Sequence, residues 1–308
     1  MTKIGRCFPY IIICFVALVI YLPSFSGDFI LDDIPLVKNN TYIREWHSIG
    51  SYLSQEDGYD PNLTSGHTGY YRPFINFTYT LDYKIWGNNG PGFRITNLIL
   101  HIFVCFTLFN FYGLIFKKRD IAMLLALLFA LHPIATESVS WVASRNNQLT
   151  TLFGIISFIF YIKAYEKEKF FYYGISILFF AFSVFCKEFG LMLLPIFFLY
   201  QRTLNPQKTS IIKELREYIP YIIISFLYFY LRHNVTGSLL SPSGLSDFFV
   251  RLYSVPYVLL FNIRLIFFPY NLHSFNIDLP DSFLDVGIIC GIRNHLGTRW
   301  NHNGVQPV

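Results

Sequence analysis

Long apolar stretches recur down the chain, each followed by a short polar segment. The windows are residues 8–25, 95–116, 121–134, 149–165, 170–186, 189–200, 219–231 and 248–268. A hydrocarbon core takes about 20 apolar residues per helix. Two windows are too short to span unaided, which is tolerated where a segment packs against other helices rather than lipid. The pattern predicts an all-α polytopic membrane protein with about eight or nine transmembrane segments. Lys3 and Arg6 give the first run the look of a signal sequence, but no small-x-small cleavage site follows, so it reads as a retained helix.

Residues 26–93 break the rhythm. They are rich in Pro, Gly and Asn yet carry aromatic runs such as "TGYYRPFINFTYTLDYKIW", which predicts a long first extracytoplasmic loop holding interfacial helices. No repeat of about 20 to 50 residues and no low-complexity tract is present. At the far end, "GIRNHLGTRWNHNGVQPV" abandons the apolar pattern just after "FLDVGIICG" begins another span. The expected organisation is one membrane domain over 1–287 and an atypical, truncated polar tail over 288–308.

Composition sharpens the class. Charged residues make up 14% of the chain and hydrophobic ones 53%, against roughly 25% charged in an ordinary soluble domain. The net charge of +5 comes from bases in short loops, such as Lys117, Lys118 and Arg119, then Lys163, Lys167 and Lys169, then Arg202, Lys208, Lys213 and Arg216. Membrane orientation explains that distribution better than nucleic acid does. It puts the N-terminus in the cytoplasm and gives the outer face the 26–93 loop, "HPIATESVSWVASRNNQ", "CKEFG" and "RHNVTGSLLSPSG". The five cysteines lack CxxC or Cys/His spacing, so neither a disulfide framework nor a zinc site is expected.

Candidate chemistry gathers on that outer face. Asp32 and Asp33 stand in "FILDDIPLVKNN", directly after the first apolar run. A charge kept at the hydrocarbon boundary costs free energy and points to function; the plainer role for such a pair is to cap a helix or solvate a loop. Helical neighbours point about 100 degrees apart, so one carboxylate can face a substrate while the other orients it or meets a cation. In "YYRPF", Arg72 is either an interfacial anchor or an anion partner. One short loop holds His132, Glu137 and Arg145: His132 reads first as the end of a helix before Pro133, and Arg145 is either an ordinary interfacial arginine or a group at a helix mouth where a lipid phosphate could meet its fork of donors. Lys187 and Glu188 in "FCKEFG" either close a turn as an ion pair or offer a lysine to a phosphate. The sequons at Asn39, Asn62, Asn76 and Asn234 read as chance matches in a chain this rich in Asn.

Taken in order, "FSGDFILDDIPLVKNN", "YYRPFINFTYTLDYKIWGNNGPGFRITNLILHI", "LHPIATESVSWVASRNNQL", "FSVFCKEFGLMLLP" and "RLYSVPYVLLFNIRLIFFPYNLH" resemble the membrane domain of the transmembrane and tetratricopeptide-repeat O-mannosyltransferases. They also resemble the wider GT-C class of glycosyltransferases that use lipid-phosphate sugars. The likeness covers most of residues 8–280. It implies a GT-C-like helical bundle and an inverting transfer of a sugar, typically mannose, from a polyprenyl-phosphate donor to a hydroxyl of a protein or glycolipid acceptor. Asp32 would be the base and Asp33 its neighbour. Arg145, Lys187 and Arg72 would meet the donor phosphate, with His132, Glu137 and Glu188 as further site candidates. No metal ligand is assigned, and a divalent cation stays open. Two departures stand out: Asn146 and Asn147 occupy the place where that family tends to carry an acid, and the repeats are absent. Their absence favours a bacterial inner membrane over the endoplasmic reticulum.

Two other readings compete: a transporter or flippase, with Asn97, His101 and Asn110 lining a pathway along one helix, and an inactive truncated remnant. Paired broken helices from an internal repeat, the usual mark of a transporter, are not found in the sequence.

Overall fold

Each apolar window becomes a helix in the computed structural model, which describes residues 3–62, 69–167, 169–204, 211–237 and 245–269. The expected tail at 288–308 lies outside the described residues. The chain forms two units, Met1–Ser241 and Pro242–Val308. In the second, α11 (Leu245–Phe267) carries Pro256 within it. All else concerns the first unit.

There α1 (Lys3–Tyr21) leads into the outer loop, which holds α2 (Ile49–Leu53) and α3 (Pro73–Trp86). Then come α4 (Gly90–Phe116), α5 (Arg119–Leu131), the short α6 (Ala135–Ser140), α7 (Arg145–Lys167), α8 (Phe170–Cys186), α9 (Leu193–Thr203) and α10 (Ile211–Thr236). Among the described residues there are helices and turns but no strand, so the chain is an all-α membrane protein. Three described segments are long and apolar enough to cross a bilayer: Cys7–Ser26, Gly90–Phe116 and Val142–Lys167. α5, α8 and α9 are shorter.

The helix ends follow local chemistry. α4 opens on Gly90-Pro91, a proline where its missing N–H costs nothing, and closes at Lys117 in the left-handed region, φ 53°. α5 stops at His132, which is extended (ψ 125°) because Pro133 follows. α8 stops at an extended Lys187. In the turn after it, a Cβ on Gly190 would come within 2.6 Å of the Val184 nitrogen, so only glycine lets this turn fold back on its own helix.

α7 is the central helix, packed along α8 and α4, while α1 packs on α4 and α5. Hydroxyls zip α7 to α8. Ser157 Oγ donates to the Ser176 carbonyl at 2.7 Å and Ser176 Oγ returns to the Ser157 carbonyl at 2.8 Å, and Ser183 Oγ reaches the Thr150 carbonyl at 2.9 Å. Small hydroxyl residues that let helices approach and bond across are the usual adhesive in lipid. α3 is amphipathic in reverse: Asn76, Thr80 and Asp82 are buried, while Phe77, Leu81 and Ile85 are 40%, 42% and 60% exposed. Ile75 and Tyr79 are buried beside those polar groups, so only the outer stripe of Phe77, Leu81 and Ile85 is left apolar and exposed, which suits a neighbour that is lipid rather than water.

One buried charge joins three of these helices. Arg145, at the start of α7, is fully buried. Its Nε donates to Asn97 Oδ1 at 2.8 Å on α4, and its other nitrogens donate to the Thr78 carbonyl and the Asp82 carboxylate on α3 and to the Phe93 carbonyl on α4. The rings of Tyr79 and Phe93 lie 5.1 and 5.7 Å from its guanidinium carbon. Removing one partner of such a pair strands a charge, which costs about 3–5 kcal/mol, whereas replacing both by apolar groups can be neutral. Arg145→Met is therefore expected to lower the melting temperature in detergent steeply, and Arg145→Met with Asp82→Leu to recover most of the loss. A double variant no more stable than the single would show that the pair does not hold the helices.

Candidate active site at the mouth of α7

The acidic pair sits on a forced bend. After a 3-10 turn at Leu22–Ser26 the chain runs extended, then turns at Leu31, whose φ is 47°. A left-handed leucine costs about 1–2 kcal/mol, the kind of strain that marks a functional segment. Beyond it Ile34–Lys38 forms a π-helical turn. The bend sends the two carboxylates apart: Asp32 is exposed, while Asp33 is fully buried.

Asp33 is held by main-chain amides. Its Oδ1 accepts from the Ala143 N–H at 2.8 Å and its Oδ2 from the Ile30 N–H at 3.2 Å. Burial raises its pKa, and the amides of Ala143 and Ile30 with the charge of Arg94 pull only part of the way back. The pair is thus divided, one carboxylate pinning the loop to the segment that enters α7 and the other left to face outward.

The same short segment collects two further groups. Ser144 Oγ donates to Glu137 Oε1 at 3.3 Å, with Glu137 itself exposed. Lys187 Nζ donates to Asn147 Oδ1. Ala143, Ser144 and Asn147 therefore receive Asp33, Glu137 and Lys187 from three parts of the chain. Asn147 is neutral, so the hydrogen bond that Lys187 donates to it brings no opposing charge of its own. Burial lowers the Lys187 pKa, and nearby Arg72 lowers it further, against the pull of Glu188, Glu137 and Asp57.

Beside Lys187 lies a clamp. Arg72 donates through Nε and one terminal nitrogen to Glu188 at 3.4 and 3.1 Å, and through the other to Asp57 Oδ2 at 3.5 Å, with its guanidinium carbon 4.3 Å from the Tyr70 ring centre. It ties the outer loop to the turn after α8. Burial opposes ionisation of Glu188, but the hydrogen bonds and charge of Arg72 outweigh it and hold that carboxyl below its usual range. For Asp57 burial wins, and its carboxyl is pushed up to about 6.

The sequence candidates thus separate. Lys187, Glu137 and Asp33 meet at the mouth of α7, and Arg72 and Glu188 lie alongside. Arg145, expected at the donor phosphate, is instead sealed beneath the mouth with every nitrogen engaged in protein contacts, a setting with no face for a lipid headgroup. His132 lies in the turn after α5, where its Nδ1 accepts from the Ile134 N–H at 3.2 Å. The polar residues of α4 pack against neighbours: Asn97 holds Arg145 and main-chain carbonyls of the α6 segment, His101 touches Cys105 at 3.6 Å, and Asn110 accepts from the Tyr10 hydroxyl at 2.9 Å. Among the described residues, no group of three or more His, Cys, Asp or Glu gathers as for a metal ion, and none is assigned to one.

Asp57 and Arg94 were not singled out from the sequence. Asp57 sits in the acidic run "SQEDGYD" and acquires meaning only through Arg72, whose other partner is more than a hundred residues away. Arg94 carried a readable signal, a charge at the start of an apolar helix.

Asp57 gives this clamp a pH dependence. Because its folded pKa lies above the 3.8 of an ordinary aspartate, its contribution to stability is full below pH 4 and lost as pH rises through about 6. Relative to Asp57→Asn, the wild type is expected to lose on the order of 3 kcal/mol between those limits and to change little above. Thermal unfolding of both proteins across pH 4 to 7 measures this, and a constant difference would show that Asp57 does not titrate there.

With this geometry in hand, comparison with known proteins is informative. The family model described as dolichyl-phosphate-mannose-protein mannosyltransferase matches residues 67–232, which takes in Arg72, α3 to α9 and most of α10. The chain is 30% identical to protein O-mannosyl-transferase TMTC4 of Homo sapiens over 204 residues, 59% of this chain and 27% of that protein. It is 27% identical to a protein O-mannosyl-transferase of Caenorhabditis elegans over 317 residues, 97% of this chain and 41% of that one. The chain thus spans well under half the length of these curated relatives. No solved structure matches it. A family match over more than half of the chain, on the helices that build the mouth of α7, identifies this protein as a member of the dolichyl-phosphate-mannose-protein mannosyltransferase family.

Proposed function

We propose that this membrane domain transfers mannose from a polyprenyl-phosphate donor, of the dolichyl type, to a serine or threonine hydroxyl of a protein, with inversion at the sugar carbon. The observation that carries this reading is the divided acidic pair, an exposed Asp32 next to an Asp33 anchored by the amides of Ala143 and Ile30.

In the proposed step the acceptor oxygen attacks the anomeric carbon, Asp32 takes the hydroxyl proton, and the bond from that carbon to the phosphate oxygen breaks. The lipid phosphate leaves with the bonding pair. A general base within hydrogen-bond reach of the hydroxyl suits this chemistry, and an exposed carboxylate on a fixed turn can supply it. The leaving phosphate gains charge and needs a cation in place before the bond breaks. Lys187 fits that need best, because its partner Asn147 is neutral. Arg72 is bound to two carboxylates and is assigned a supporting part, holding the turn that carries Lys187. Arg145 is assigned none at the phosphate. A donor with a lipid tail has to be met from the bilayer, which agrees with a site beside apolar helices.

The matching relatives named above are animal proteins, which favours the endoplasmic reticulum membrane over the bacterial inner membrane, with the Asp32 end facing the lumen. In that setting the sequon at Asn76 is unavailable in the folded protein, since the side chain is buried and bonded to the Glu56 carbonyl at 2.7 Å and the Gly58 N–H at 3.1 Å.

The test is transfer of radiolabelled mannose from dolichyl-phosphate mannose to membrane protein. Asp32→Asn is expected to cut the rate by about a hundredfold or more, and a wild-type rate in that variant would remove Asp32 as the base. Lys187→Gln is expected to weaken use of the donor by about tenfold to a hundredfold, the worth of a charged hydrogen bond. An unchanged donor dependence would take Lys187 out of the phosphate site.

A further inference from the structure

Arg94 is spent in an unusual way for a buried arginine in a membrane protein. It stands in the first turn of α4 and is almost fully buried. Its Nε donates to the Ser140 carbonyl at 2.8 Å, and its two terminal nitrogens donate to the carbonyls of Gly27 and Asp28. These partners belong to two separate segments: one leads into the acidic bend, the other joins α6 to the mouth of α7. Two glycines line the fork closely. A Cβ on Gly27 would lie 3.4 Å from three guanidinium atoms, and one on Gly90 would lie 3.5 Å from a terminal nitrogen and 3.4 Å from the Phe29 nitrogen.

We propose that Arg94 is the positioning residue of the acidic pair, a clasp that fixes where Asp32 stands relative to the mouth of α7. The proposal rests on the transferase reading above. Asp33 bonds across the same gap to Ala143, so the acidic bend is joined to the α7 segment at two places, one before the pair and one within it. A turn strained at Leu31 with only one anchor can pivot about it; with two it cannot. Arginine is required because its planar fork reaches three carbonyls in fixed directions, whereas the single nitrogen of a lysine cannot span both segments. Arg94 touches neither donor nor acceptor in this scheme and acts through the placement of Asp32. Its loss is therefore expected to lower kcat and to leave the KM for the lipid donor, set by Lys187, unchanged.

The experiment combines a distance with a rate. Spin labels at Ile30→Cys and Ile134→Cys, both exposed positions, in a cysteine-free background report the width of the gap. Arg94→Lys is expected to broaden that distance distribution and to lower kcat about tenfold or more at constant KM for dolichyl-phosphate mannose. An unbroadened distance, or a wild-type kcat, overturns the proposal. An equal change of kcat and KM overturns it too, because that would mean general damage to the site. If Arg94→Lys is not monodisperse in detergent, Gly27→Val replaces it. Gly27 has ordinary extended backbone and a Cβ there would already touch the guanidinium, so the branches beyond it crowd the fork, and a smaller broadening with a several-fold lower kcat is expected. The two readings fail separately. An inactive wild type with a gap that broadens in Arg94→Lys sinks the transferase reading and upholds the clasp, whereas an active wild type with an unaffected gap does the reverse.

Discussion

A guanidinium buried out of reach of solvent is the constraint around which this domain is organised. Arg145 needs oxygen on every side, and α3 and α4 supply it from a carboxylate, an amide and two main-chain carbonyls. Meeting that need fixes the rotation of three helices at once. α3 has to turn Asp82 and the Thr78 carbonyl towards the guanidinium, which leaves Phe77, Leu81 and Ile85 on its outer side while Ile75 and Tyr79 stay in the core; α4 has to present Asn97 and Phe93 at one depth. The reversed amphipathicity of α3 is thus a result of the charge it serves as much as of the lipid it faces.

With that floor in place, the segment just before α7 can gather groups from distant parts of the chain. Asp33 arrives from the first outer loop, Glu137 from the α6 turn, Lys187 from the end of α8. Each is anchored to a different residue between Ala143 and Asn147, so they approach one another without forming direct ion pairs. Lys187 rests against the neutral amide of Asn147 and the ring of Phe189, with the carboxylates of Glu188, Glu137 and Asp57 acting on it from further off.

Much of this was legible in the sequence. The apolar windows became helices, because a span of about 20 apolar residues has little alternative in lipid, and the motif blocks identified the family. The polar groups were legible in kind but not in place. "HPIATESVSWVASRNNQ" advertised Arg145 as a phosphate ligand, since nothing local reveals that Asp82 and Asn97 close over it. Similarly, Asp32 and Asp33 are equivalent on paper and differ only because Leu31 bends left-handed and Ala143 offers an N–H to one of them. Arg72 and Glu188 lie far apart in the chain, and no pattern shorter than that could pair them.

Chain order gives Arg145 one more property. Thr78, Asp82, Phe93 and Asn97 all precede it in the chain, so during synthesis its partners leave the ribosome before it does. When α7 is made, every group that will meet its charge has already been synthesised, so the pairing of Asp82 with Arg145 waits only on α7 itself. Reversing that order, by permuting α7 ahead of α3, would leave every contact of the finished fold available and yet make the guanidinium, rather than the carboxylate, the charge that waits for its partner.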